Sequence, residues 1–295
     1  MSSKKIGHHY ISEGYLRNFT NKKNRVCVLT PENRIFETSP NNICKENHYN
    51  TVNGSLIIEN SLAEIEGEVF KIINNKIKGQ IQLSKSDKDL LAYYVSLIFC
   101  RVKNRREGLR KSLNELVRWA ENFKEKDDIL NKAALPASGK SISISELKKG
   151  LGNFNQKFAV SSMSNAAHST NYIVNMKWAF WTAPGGTFIT SDDPVSLCRP
   201  EAELKYGPRA MGSRAGLAHE DVELTFPITS EVLLLAGWRI ERDLLYLPVP
   251  NNMINGLNYR TTRTANSLFA TNRRVLNYIL KKDEEYKQKT KNGKI

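Results

Sequence analysis

Two long segments of helical periodicity, followed by short β-prone runs, constrain this chain more than any motif does. From Leu56 to about Ile77 the apolar residues Leu56, Ile58, Leu62, Ile65, Val69, Phe70 and Ile73 recur at the spacing of one helix face. Asn53 or Ser55 stands ready to cap its start. Ser84-x-x-Asp87 has the form of a capping box. Apolar residues from Leu90 to Leu116 carry a second helix to about Phe123, with a break expected at Gly108. A further helix is expected from Ser145. After Met176 the texture changes, and 176–181, 187–190, 222–226 and 232–236 read as strands. Residues 24–37 read as a hairpin around Pro31-Glu32-Asn33, and 251–280 as a helix. Strands and helices in blocks predict an α+β fold: a helical N-terminal half with a β-hairpin, then a mainly antiparallel sheet and a C-terminal helix. On this reading residues 1–280 form one domain with a flexible connection near 124–145. Residues 281–295 form a charged tail, disordered beyond Tyr286.

A chain of 295 residues has room for a sizeable core. No apolar run approaches the roughly 20 residues of a membrane helix, and the opening Met-Ser-Ser-Lys-Lys lacks the apolar segment of a signal peptide. The expectation is a cytoplasmic protein without a membrane partner. The four cysteines, Cys27, Cys44, Cys100 and Cys198, form no Cys-x-x-Cys pair and are expected reduced. The net charge of +14 is spread: residues 1–25, 100–118 and 273–295 each carry a net +5. Such an excess favours a polyanionic partner, usually nucleic acid. A lysine-rich soluble surface accounts for it equally well. Phosphate-loop, dinucleotide-fold, zinc-helix and nucleophile-elbow signatures are absent, which disfavours ATPase, dehydrogenase and serine hydrolase readings.

Three stretches carry candidate chemistry. The segment His8-His9-Tyr10-Ile11-Ser12-Glu13-Gly14-Tyr15-Leu16-Arg17-Asn18-Phe19 sets histidines, a carboxylate and an arginine among bulky apolar groups. Adjacent histidines on extended backbone point to opposite faces, so only one of them enters a given site. That one serves as a general base, a metal ligand or a satisfied structural group. On the second helix, Arg101 and Arg105 share the apolar face with Tyr94 and Ile98. A charge there needs a partner: either a carboxylate such as Glu59 or Glu66, or a bound phosphate, for which guanidinium is suited. Arg106, Arg110, Lys111 and Arg118 are expected on solvated positions open to nucleic acid. Thr190-Ser191-Asp192-Asp193-Pro194-Val195 places a carboxylate at a strand end, either as a site or as an ordinary Asx-type turn.

These stretches resemble a bacterial family catalogued as domain of unknown function 4238. Its opening His-Tyr-Val-Pro-x-x-Tyr-Leu-Arg-x-Phe is similar to His9-Tyr10-Ile11-Ser12 through Tyr15-Leu16-Arg17-Asn18-Phe19, with Ser12 in place of the usual proline. His48-Tyr49 resembles its aromatic motif. Ile58-Glu59 or Ile65-Glu66 resembles its Ile-Glu helix, and Arg101 to Arg105 its helix ending in arginines. Phe188-Ile189-Thr190-Ser191-Asp192-Asp193-Pro194-Val195 matches Phe-x-Thr-Ser-Asp-x-Pro-Val, and Asn255 through Ala265 is similar to a late Asn-rich helix. The resemblance implies that His9, Arg17, Arg101, Arg105, Ser191 and Asp192 form one site. It supplies no reaction.

The leading expectation is a protein acting on nucleic acid, of the kind a nuclease effector of phage defence or a toxin would be. His9, Asp192 and Ser191 are its candidate catalytic residues. Arg17, Arg101, Arg105, Arg106 and Arg110 would bind phosphates. Asp192 and Glu59 would ligate Mg²⁺ or Mn²⁺. The alternatives are a non-enzymatic module for nucleic acid, a partner protein or a second copy, and a sensor of a phosphorylated small ligand.

Overall fold

The computed structural model describes residues 7–123, 144–185, 187–206 and 216–291. The opening segment is tied down at once. Strand β1 (Gly7–His9) pairs antiparallel with β4 (Lys45–Asn47), His8 lying opposite Glu46. Ser12 then caps the short helix α1 (Glu13–Leu16) by accepting from the Tyr15 amide at 3.3 Å. Gly14 is required by packing: a Cβ there would lie 2.2 Å from the Phe70 ring. The expected hairpin is present as β2 (Val26–Leu29) and β3 (Ile35–Thr38), with Asn33 in the left-handed region at φ 60°.

Helix α2 (Ile57–Ile72) runs on through a π turn to Ile77. Leu56 occupies its N-cap without a side-chain bond, and the Ser55 hydroxyl accepts from the Ile57 amide at 3.3 Å. Helix α3 (Lys85–Arg101) starts at the expected capping box. Asp87 closes it by accepting from the Ser84 amide at 2.7 Å and from Lys76 at 2.5 Å. Burial alone would raise the Asp87 carboxyl pKa, but the bonds from Lys76 and Ser84 outweigh it and hold the value low.

The break expected at Gly108 lies instead at Val102, before α4 (Lys103–Phe123). Val102 is extended (φ −62°, ψ 149°) and fully buried. The carbonyl that the break frees on Arg101 takes the Tyr49 hydroxyl. Gly108 has an ordinary helical place in α4. Most of the connection expected near 124–145 lies outside the described residues. Helices α5 (Ile144–Gly152) and α6 (Phe154–Asn175) follow, and α6 packs along α3.

The second half holds β5 (Lys177–Thr182), β6 (Thr190–Ser191), β7 (Ser196–Cys198), the short helix α7 (Pro200–Tyr206), β8 (Glu223–Pro227), β9 (Val232–Gly237) and β10 (Leu245–Pro248). After these come α8 (Asn251–Thr262), β11 (Leu268–Ala270) and α9 (Arg273–Lys291). One sheet has the order β10-β5-β9-β8-β7, antiparallel except for the parallel β5–β10 pair. A second, all antiparallel, has the order β3-β2-β11-β6, and the β1–β4 pair stands as a small sheet of its own.

Three expectations need correction. Residues 251–280 are two helices with β11 between them, because 268–270 fill the gap between β2 and β6. The strand expected over 187–190 shrinks to Thr190–Ser191, since the Asn258 side chain takes the Ile189 amide and the Thr187 carbonyl that a ladder would have used. The charged tail is helical through Lys291, past Tyr286, its first turns seated by the buried Leu276.

The two larger sheets are covered on both faces, as strand alternation shows. Val232, Leu234 and Ala236 of β9 face the main core, whereas Leu233 and Leu235 face a second cluster containing Leu257 of α8. Val26 and Val28 of β2 likewise face the main core, while Cys27 and Leu29 meet Leu276 of α9. Among the described residues no helix is long and apolar enough to cross a membrane.

Candidate functional site

The opening motif and the Thr-Ser-Asp motif meet in the core. Tyr15 is fully buried and stacked on Phe226, ring centroids 5.2 Å apart. Its hydroxyl donates to the Pro227 carbonyl at 2.6 Å and lies 2.6 Å from the Thr190 hydroxyl. With the tyrosine proton spent on Pro227, Thr190 donates to Tyr15. The Ser12 hydroxyl lies 3.3 Å from that of Tyr94 in α3. One short segment thus joins the helical half to both sheets.

His8 and His9 diverge as their strand requires. His8 is fully buried, and its Nδ1 accepts from the Asn50 amide at 3.1 Å, which leaves the ring proton on Nε2. Asn50 in turn donates to Glu59 at 2.7 Å. The His9 carbonyl accepts from Arg101 at 2.8 Å, and Arg101 stands 3.8 Å from Glu66. Arg101 is 5% exposed and takes the carboxylate partner expected on the preceding helix. His9, Glu13, Glu59, Glu66 and Arg101 line one cleft of about 130 Å³. Arg17 lies outside it, on the surface, bonded to Glu13 at 2.6 Å.

The second arrangement surrounds the turn after β6. Ser191 is fully buried, and its hydroxyl accepts from the Asp193 amide at 3.1 Å. Asp192 accepts from the Asn266 and Ser267 amides at 2.9 and 3.1 Å. Burial raises its carboxyl pKa, against those two bonds. Asp193 is 4% exposed, and its Oδ1 is buried without a hydrogen-bond partner. Burial pushes its pKa up to about 7, with Asp192 adding to the rise and Arg105 opposing it. Arg105 itself is exposed, its guanidinium 3.6 Å over the Phe99 ring.

The structure therefore divides the residues expected in one site. His9, Glu59 and Arg101 share the cleft, whereas Ser191 and Asp192 belong to the turn after β6, where the charge of Arg105 from α4 acts on Asp193. Tyr10 follows His9 in the chain: burial raises its phenol pKa most, and the charges of Cys44 and Asp192 raise it further. Arg106, expected on a solvated face, is buried instead. It lies over the Tyr49 ring at 4.4 Å and bonds to Glu46 at 2.8 and 2.9 Å and to Glu107 at 2.8 Å. The helix break at Val102 sets its direction, turning α4 relative to α3. Arg110 is exposed on α4. Among the described residues no three His, Cys, Asp or Glu side chains are grouped to hold a metal ion, and Asp192 and Glu59 are occupied by the bonds above. None of the four cysteines forms a disulfide.

Sequence reasoning singled out Asp192 and passed over Asp193. Only the signal of two adjacent carboxylates before a proline marks it, and that signal does not tell which one keeps a buried oxygen without a hydrogen bond.

No curated protein and no solved structure matches the chain. The family model described as a protein of unknown function (DUF4238) matches residues 7–276, a span that holds the cleft, the Asp192 turn and the tyrosine that ties them. With both sequence motifs meeting inside that span, the chain belongs to the DUF4238 family.

Proposed function

We propose that this protein is a nucleic-acid-binding module whose motif residues build the fold and whose binding face is helix α4. One observation carries the reading. Within the basic run at 100–118, Arg101 and Arg106 are buried against Glu66 and Glu46, Lys103 pairs with Glu46 and Arg105 lies over Phe99, whereas Arg110, Lys111 and Arg118 are exposed and make no ion pair among the described residues. Unpaired cations on one exposed helix suit a phosphate backbone, which needs positive charge and no fixed geometry. Fluorescence anisotropy with labelled RNA and DNA tests it. Affinity is expected to fall steeply with salt, and joint substitution of Arg110, Lys111 and Arg118 by alanine is expected to lower the salt slope by about 2–3. Absence of binding at low salt, or an unchanged slope in the variant, would overturn the reading.

A phosphodiesterase, such as a phage-defence effector or toxin would use, is the second reading. Its support is the cleft that gathers His9, Glu59, Glu66 and Arg101. Cleavage of the same substrates with Mg²⁺ or Mn²⁺, abolished by His9→Ala with the fold intact, would favour it. Cleavage unaffected by His9→Ala would sink it.

A further inference from the structure

Helix α4 exposes more than charge. At about 100° per residue, its buried and half-buried residues Arg106, Leu113, Val117 and Ala120 form one stripe turned into the fold. Leu109 and Leu116 border that stripe, so their exposure is that of a rim. Trp119 stands apart from it, about 160° around the helix from Val117 and about 100° from Ala120, and is 45% exposed. The stripe that packs α4 on the fold therefore does not account for this side chain, which offers more apolar area for burial than any other type.

The same side of the helix carries charge. Lys111 and Arg118 lie about 80° and 100° around from Trp119, nearly in line along the axis and about 10 Å from one another. Both are exposed, and neither has an ion-pair partner among the described residues. Arg110 is exposed on the other side of the helix and adds charge alone. Glu115 is exposed between Lys111 and Trp119, whereas Glu107 is spent on Arg106.

Phosphates need only cations, and a duplex, with its bases turned inward, offers little else to the outside of a helix. A single strand offers phosphates together with unstacked base faces, and aromatic rings beside cations hold such strands without regard to sequence. We infer, on the nucleic-acid reading above, that α4 takes a single strand, its phosphates on Lys111 and Arg118 and a base stacked on the Trp119 ring. Glu115 opposes the strand by repulsion. An anionic membrane would also meet cations and a tryptophan, but a helix lying in a membrane surface buries a whole apolar face, and that of α4 is turned into the fold.

Fluorescence anisotropy on the full chain tests this, with a labelled strand of about 12 nucleotides, the same strand in a duplex, and vesicles of phosphatidylcholine and phosphatidylserine as the comparison. The single strand is expected to bind more tightly than the duplex at equal salt. Trp119→Ala should weaken the single strand by about tenfold or more, with the salt slope and the duplex affinity unchanged, and Trp119→Phe should restore most of the loss. Glu115→Gln should tighten the single strand severalfold. Circular dichroism and the melting temperature establish that each variant is folded. Should Trp119→Ala fail to fold, Trp119→Leu keeps an apolar side chain without a ring and is read the same way. Duplex bound as tightly as the strand, or single-strand affinity retained in a folded variant without the ring, would overturn the stacking and leave the charge reading standing. Binding of neither form at low salt would overturn the nucleic-acid reading itself. Vesicles bound more tightly than the strand, through Trp119, would overturn the strand in favour of a membrane surface.

Discussion

Tyr15 holds two long-range hydrogen bonds from one buried hydroxyl, to a carbonyl before the β8–β9 turn and to Thr190. Tyr15→Phe is expected to leave both partners unsatisfied and cost about 1–3 kcal/mol, measured by urea unfolding. A loss well below that range would mean that water replaces the hydroxyl. Asp193 makes the opposite kind of contribution. Its folded pKa is raised to about 7, against an ordinary value of about 3.9 in the unfolded chain. The folded state therefore holds a proton that the unfolded state releases. The associated stability is complete below the unfolded value and is lost as pH rises through about 7. Asp193→Asn keeps the neutral shape at every pH. The variant should match the wild type near pH 4 and melt at least about 2 °C higher near pH 8. A difference that does not grow between those conditions would show that Arg105 neutralises the carboxylate in the fold. Neither role was legible from residue type, because burial and partnership belong to the surroundings.

Element boundaries followed the sequence where local chemistry closes on itself. Ser84 and Asp87 are three residues apart, so their capping box needs no distant group and was read from spacing alone. Asp87→Ala removes the box and the Lys76 contact together, with an expected loss of about 1–2 kcal/mol by thermal melting. Boundaries were misplaced where a distant partner decides. Val102 breaks the long helix because its side chain enters the core and the Tyr49 hydroxyl donates to the freed carbonyl. Residues 268–270 are a strand because two strands from elsewhere flank them. Gly256 offers a prediction of its own: Gly256→Ala should stabilise the protein by about 1 kcal/mol in denaturant unfolding, since the new methyl meets open space. A destabilised variant would mean that the helix wall is tighter than its geometry indicates.

At the scale of the whole molecule, the charge excess is only partly available for binding. The buried Arg101 and Arg106 are spent on internal carboxylates, whereas exposed cations remain on α4 and α9. Periodicity, turn chemistry and capping determined the α+β class, the hairpin, and the helices α2, α3 and α5, because those signals arise between residues close in sequence. The motifs marked which segments matter, and the chain carried their polar groups in plain view. Their arrangement was decided only by tertiary structure. Tyr15 reaches Thr190 across 175 positions, and the Asn266 and Ser267 amides reach Asp192 across 74 and 75. His9 was thereby directed to the α2–α3 cleft and Asp192 to a turn of its own.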